Sequence, residues 1–436
     1  MMKISEMPKY DDYVDSGVEW LGRVPASWEL TRLGTRFNER RSKVSDIDYP
    51  ALSVTKKGVL PQLDNAAKTK DGDNRKLVKE GDFVINSRSD RKGSSGVSDR
   101  DGSVSLINIV LKPKGIHPKF SEHLLKSHAF IEEYYRVGRG IVADLWTTRY
   151  DEMRTITISV PSLEEQTRIA NFLDKKTALI DEAISIKEKQ INLLKEHKQI
   201  IIQQAVTQGL DPNVPMKDSG VDWIGDIPEH WEVVPLKRLA VLSPSVKVSN
   251  RKSKELVTFL AMEKVSTDGF IDQDTLMPIC DVSQGFTVFN RGDVIVAKIT
   301  PCFENGKSAW LNNLQTEFGY GSTEFHVLRC GQRIIGSFLY LIVSSPLFLN
   351  AGEAMMTGSA GQKRVPSSFI QNFPTAIPGV AEQEKIVSKV KELFSQIDVV
   401  VASTVNQIEK LKEYKTTLIN SAVTGKIKIT PEMVEQ

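Results

Sequence analysis

The sequence predicts an α+β protein built as a pseudo-two-fold tandem repeat: two mixed α/β modules separated by two long helices that form an antiparallel coiled coil. Three observations predict it. Residues 162–208 recur without a gap at 379–425, so that Pro161 falls on Pro378, Glu165-Gln166 on Glu382-Gln383, Ile180-Asp181 on Ile397-Asp398 and Ala205-Val206-Thr207 on Ala422-Val423-Thr424. A shorter segment, 15–29, recurs at 218–232 with nine of its fifteen positions identical. Within the long segments, apolar residues step by 3.5 over about four heptads, as a coiled-coil seam requires.

Taken in order, residues 1–160 form the first module. Its first fourteen residues are polar and are expected to be poorly ordered at their start. The segment Asp15-Ser16-Gly17-Val18-Glu19-Trp20-Leu21-Gly22, with Pro25 and Trp28-Glu29, reads as a structural clasp, because tryptophans bury large areas. Short apolar runs bounded by Gly, Ser and Asp follow; Asp82–Asn86 and Ser105–Leu111 read as strands, and Phe120–Tyr135 as a short helix. Residues 161–209 are the first long helix. Ser162 and Glu165 form a capping box, and Gly209 is the C-terminal stop. After a linker at 210–217, the second module spans 218–376. It repeats the clasp around Trp223 and Trp231, repeats Gly81-Asp82 as Gly292-Asp293, and mirrors the short helix at 337–349. The second long helix occupies 377–425, with Gly379 as a weaker cap, and 426–436 are a C-terminal tail.

The seam of the first helix reads Leu173, Ile180, Ile184, Ile191, Leu194 and Ile201, interrupted by Thr177, Lys187 and Lys198. That of the second reads Val390, Phe394, Ile397, Val401, Ile408, Leu411 and Leu418, interrupted by Thr404 and Lys415. Polar residues in a seam fix register at a cost in stability. At 1.5 Å per residue each helix reaches roughly 65–70 Å, a ruler between two modules.

At 436 residues, with 40% hydrophobic and 26% charged residues, the chain has a soluble, multidomain composition. No apolar run is long enough for a membrane span, and three scattered cysteines suit a reducing cytoplasm. A net charge of +2 neither demands nor excludes nucleic acid.

Searching for catalytic patterns yields none. No proline follows proline, so the Asn/Asp-Pro-Pro-aromatic loop of amino-methyltransferases is absent, and no Pro-Asp dipeptide opens a nuclease site. Glu317-Phe318-Gly319-Tyr320-Gly321 reads as a strand turn, and Gly306-Lys307-Ser308 lacks the glycine that would complete a phosphate loop. Glu196-His197-Lys198 and Glu413-Tyr414-Lys415 lie inside the long helices, as solvated charge. The six histidines show no metal spacing, and neither a metal site nor a cofactor is expected.

What remains is a set of basic, polar loops at matching places in the two modules. In the first they carry Ser87, Arg88, Arg91 and Lys92, then Arg136 and Arg139, extended by Arg149-Tyr150. In the second they carry Lys298, Asn305 and Lys307, then Gln362, Lys363 and Arg364. Arg and Lys suit phosphates and guanine edges, and Asn and Gln suit adenine, so these residues are the candidate DNA contacts.

The repeated Asp-Ser-Gly-Val-Glu/Asp-Trp-Leu/Ile-Gly…Pro…Trp-Glu segments, the Pro-x-x-x-Glu-Gln helix starts at Pro161 and Pro378, and Thr300–Lys307 together resemble the specificity subunits of Type I restriction–modification systems. The resemblance covers nearly the whole chain. It implies a non-catalytic cytoplasmic subunit whose two target recognition domains read a bipartite, asymmetric site in double-stranded DNA, one half-site each. The helices would set the unread spacer and dock two methyltransferase subunits, joined by a restriction subunit that translocates DNA. Methylation and cleavage would belong to those partners. Two other readings stay open at this point: a coiled-coil scaffold with protein-binding heads, and a self-contained methyltransferase or nuclease.

Overall fold

The computed structural model describes residues 3–62, 72–140, 146–246, 252–359 and 361–435. The chain divides into two compact units, Met1–Glu188 with Val405–Gln436, and Lys189–Thr404. This grouping cuts across the segments expected at 161–209 and 377–425, because each long helix shares its two halves between the units.

In the first unit Tyr13–Asp15 pairs with Arg23–Pro25 as a hairpin. A four-stranded antiparallel sheet follows the order Phe37–Glu39, Asn108–Pro113, Phe83–Asn86, Ser95–Val97. Every residue of Phe83–Asn86 is buried, which explains the unbroken apolar run. A second sheet joins Lys43–Val44, Arg75–Val78 and Gly102–Val104, and Glu29–Arg32 pairs with Thr157–Val160. Two expectations are corrected. The strand expected from Ser105 starts at Asn108, because Ser105 accepts a turn bond from the Asn108 N–H. The single helix expected over Phe120–Tyr135 is two, Pro118–Lys126 and His128–Arg136; the Ser127 hydroxyl caps the second by accepting from the Phe130 N–H.

The second unit repeats the plan. Met216–Asp218 pairs with Asp226–Pro228, and Glu232–Pro235 with Pro374–Ile377. Its four-stranded antiparallel sheet, Ala240–Leu242, Phe325–Cys330, Val294–Ala297, Ser308–Trp310, has the order of its counterpart. The helix expected at 337–349 again breaks in two, Gly336–Val343 and Pro346–Ala354, with Ser345 capping the second. The accessory sheet differs: Leu256–Leu260 runs parallel to Phe318–Gly321. There a Cβ on Gly319 or Gly321 would stand 2.5 Å from the Thr258 or Leu260 carbonyl, so these glycines serve strand packing. Asp82 and Asp293, the repeated Gly-Asp positions, are buried and gripped by two bonds each, from Arg40 and Arg329.

The long helices span Leu163–Thr207 and Val380–Val423. Ser162 caps the first as expected, accepting from the Glu165 N–H at 3.3 Å. The reciprocal half of the box is missing, since the Glu165 carboxylate accepts the Tyr10 hydroxyl instead. Its counterpart Glu382 accepts from Trp231 Nε1 at 3.1 Å. The neighbouring glutamines are buried bolts. Gln166 accepts from the His117 N–H and donates to the Pro161 carbonyl; Gln383 accepts from the Ile335 N–H and donates to the Pro378 and Arg333 carbonyls. In both units the bolt joins the helix start to the residue preceding the short helix pair.

All thirteen apolar seam positions are buried or half-buried. In the first unit Lys187 donates to Gln407 at 2.5 Å and Lys415 to Asp181 at 2.6 Å, so the partner number falls as the helix number rises. In the second unit Lys198 donates to Asp398 at 2.5 Å. Lys198–Asp398 and Lys415–Asp181 are the same contact repeated, because Asp181 falls on Asp398 and Lys198 on Lys415. Of the interrupting lysines, Lys198 and Lys415 thus hold register through ion pairs and Lys187 through a bond to an amide oxygen.

Described residues near both ends pack in the first unit; the expected poorly ordered start, Met1-Met2, lies outside the described residues. Met7 is buried, the Lys428 N–H donates to the Pro8 carbonyl, and Ile427 and Ile429 are buried. Gly209 and Gly425 end the helices at φ +70° and +73°. A Cβ on Gly425 would collide with Pro25, whereas one on Gly209 meets Trp231 at an ordinary 3.4 Å. Gly425→Ala is therefore expected to cost more than the roughly 1–2 kcal/mol of left-handed strain alone, and Gly209→Ala no more than that strain; thermal unfolding of both variants checks the order.

Candidate nucleic-acid interface

The sheet strand Phe83–Asn86 delivers the first loop, and the helix His128–Arg136 delivers the second. The structure joins them. Thr147 forms bridges with both Arg88 and Arg139, the Thr148 N–H donates to the Ser87 carbonyl at 3.0 Å, and the Ser89 N–H donates to the Trp146 carbonyl. Tyr135 locks the junction: its hydroxyl donates to the Asn86 and Arg88 carbonyls, and burial pushes its pKa up to about 12.

The second unit builds the same junction from different residues. Arg364 forms bridges with both Ile299 and Thr357, the Thr300 N–H donates to the Lys363 carbonyl, and the Val365 N–H donates to the Lys298 carbonyl. Arg88, Thr147 and Arg139 thus correspond in role to Ile299, Arg364 and Thr357. Under this junction lies His326, 4% exposed, with Nε2 3.0 Å from the Val365 carbonyl; burial lowers its pKa.

The candidate side chains divide by what already holds them. Lys92 pairs with Glu132 at 2.8 Å, Arg91 approaches Asp90, and Arg136 and Arg364 are gripped by two bonds each from Glu133 and Glu324. These carboxylates raise the pKa of Arg136 and Arg364, and the Arg364 guanidinium lowers that of Glu324. Arg139 stands 3.5 Å from Glu152, Lys307 donates to the Met262 carbonyl, and Ser87 is buried. Arg88, Asn305, Gln362 and Lys363 are exposed, with no side-chain partner among the described residues; Lys298 is half-buried, and its charge helps to lower the Glu324 pKa. Arg88 and Lys363 are therefore the most available cations of the predicted set.

Sequence reasoning missed a basic cleft beside the first junction. It has a volume of about 390 Å³, and Ser87 shares its lining with Arg41, Lys43, Lys76 and Arg149. Its signal was the charged run Asn38-Glu39-Arg40-Arg41-Ser42-Lys43. Among the described residues no group of three or more His, Cys, Asp or Glu side chains is placed to hold a metal ion, and no helix is long and apolar enough to cross a membrane.

Each of the two units thus carries one loop junction on a diverged module. Residues 32–196 match the family described as Type I restriction modification DNA specificity domain. The chain is 38% identical over 199 residues to the EcoAI specificity subunit of a Type I restriction enzyme from Escherichia coli; the match takes in 45% of this chain and only 33% of that protein. It is 24% identical over 434 residues to the MjaVIII specificity subunit from Methanocaldococcus jannaschii, covering 93% of this chain and 94% of the other. A chain from a type I R-M system structure shares its fold, with a TM-score of 0.67 at 15% identity, over 92% of this chain and 98% of that one. In sequence and in fold the chain is similar to the specificity subunits of Type I restriction–modification systems.

Proposed function

We propose that this chain is the non-catalytic, DNA-reading subunit of a cytoplasmic Type I restriction–modification complex. Each module reads one half-site of a bipartite, asymmetric target in double-stranded DNA. The long helices act as one antiparallel coiled coil that sets the unread spacer and docks two methyltransferase subunits, and a restriction subunit joins them. The observation that carries this reading is the loop junction, built at matching places on modules that otherwise differ. Different side chains on like scaffolds are what two unlike half-sites require.

The test is a titration of labelled duplex DNA by the chain, with and without a neighbouring methyltransferase subunit, followed by sequencing of the methylated sites. Salt-sensitive binding and a two-part methylated sequence are expected. Arg88→Ala is expected to weaken binding by roughly 1–3 kcal/mol and to relax one half-site. Arg364→Ala is a poorer probe, because it also strips Glu324 of its partner. Absence of DNA binding in both preparations would overturn the reading; methyl transfer by the chain alone would overturn its non-catalytic assignment.

A further inference from the structure

The cleft beside the first junction continues into a second cavity of about 540 Å³; the two share Glu39, Arg41 and Tyr150. Together they make a channel on the first unit. Its walls come from elements distant in sequence: the strand Phe37–Glu39, the strand Lys43–Val44, the turn before Asn108 and the helix Tyr150–Met153. Each wall is fixed. Leu111 is paired with Glu39 and Lys43 with Lys76 across the sheets, and the Tyr150 hydroxyl donates to the Phe37 carbonyl at 2.7 Å.

The channel's charge is lopsided. Arg41, Lys43, Lys76 and Arg149 line its first part, and Arg32 and Arg154 its second, against only Glu39 and Asp151. Glu39 faces inward, its side chain 10% exposed, held by Arg41 at 2.6 Å and Lys76 at 3.2 Å. It leaves Lys43 and Arg149 exposed, with no side-chain ion pair among the described residues. The Ser87 N–H donates to the Ile107 carbonyl, so the channel wall is continuous with the loop that presents Arg88.

We propose that this channel holds the phosphodiester backbone of one DNA strand, and that Arg41, Lys43 and Arg149 position the first module while the Arg88 junction reads bases. The inference rests on the DNA-reading function and adds the path of the backbone. Phosphate contacts fix register and carry no sequence information, whereas base contacts specify. The channel and the junction should therefore fail differently. Neutralising Arg41, Lys43 and Arg149 together (R41Q, K43Q and R149Q) removes up to three phosphate contacts.

The experiment measures binding of the methyltransferase-bound complex to its methylated target and to random duplex across a salt series. The triple variant is expected to bind both DNAs more weakly, with the methylated half-sites unchanged. The slope of log K against log salt should fall by about 0.9 for each phosphate that the variant no longer neutralises. Glu39→Gln keeps one of the two acceptor oxygens, removes the opposing charge and is expected to move affinity the other way, an outcome that misfolding cannot mimic. An unchanged salt slope in the triple variant, or altered half-sites, would overturn the channel and leave the DNA-reading function standing. A wild-type complex without salt-dependent DNA binding would overturn both.

Discussion

Replacing Gln383 with leucine is expected to destabilise the second unit by about 3 kcal/mol, read as a fall of roughly 6–12 °C in its unfolding midpoint. Gln383 has no exposed surface, and its amide serves three backbone groups: the Ile335 N–H and the Pro378 and Arg333 carbonyls. Leucine fills similar space and supplies none of these bonds. Burying a polar group without a partner costs more than the net worth of the bond it made. The Ile335 N–H and Arg333 carbonyl are only partly buried and recover some bonding to water, which keeps the total near 3 kcal/mol rather than three full penalties. Gln166→Leu loses two bonds, to the His117 N–H and the Pro161 carbonyl, and is expected to cost less. Equal unfolding midpoints for Gln383→Leu and the wild type would show that these bolts do not hold the helix starts.

The two long helices and their lengths were legible because periodicity is a local signal that survives without tertiary information. The clasp was half legible: Trp28 and Trp231 are buried as their repetition implied, whereas Trp20 is only half-buried and Trp223 stays exposed. Glu165 and Glu382 were half legible. Their place after the cap was right, but their aromatic partners, Tyr10 and Trp231, lie far off in the chain. The breaks at Ser127 and Ser345 escaped because an apolar stripe continues across them, while one hydroxyl decides whether the helix restarts. The loop junctions were not legible as junctions. Arg88 bridges Thr147, and Ile299 bridges Arg364, across long stretches of sequence that leave no periodic trace. A loop's own residues also do not reveal which cations are already taken. Lys92 and Arg364 read as free until Glu132 and Glu324 are placed beside them. Only the Glu133–Arg136 pair, at helical spacing, was readable in advance.

Lengthening the ruler is expected to change the spacer in the methylated target without changing either half-site, and the register of the lysine pairs says how to do it. One heptad inserted near Gln190 alone is the obvious change on sequence grounds. In the first unit, however, Lys415 is matched to Asp181 and Lys187 to Gln407, and in the second Lys198 is matched to Asp398. An insertion in one helix keeps one set of pairs only by displacing the other, so that variant is expected to lose binding. Two heptads, one after Gln190 and one after Thr404, leave Lys187 with Gln407, Lys415 with Asp181 and Lys198 with Asp398. Seven added residues extend each helix by about 10.5 Å, roughly three base pairs at about 3.4 Å each. Sequencing of methylated sites should then report the original half-sites with a spacer longer by about three. Altered half-sites would mean that the helices take part in reading the sequence; an unchanged spacer would mean that the distance between half-sites is set somewhere other than along the coiled coil.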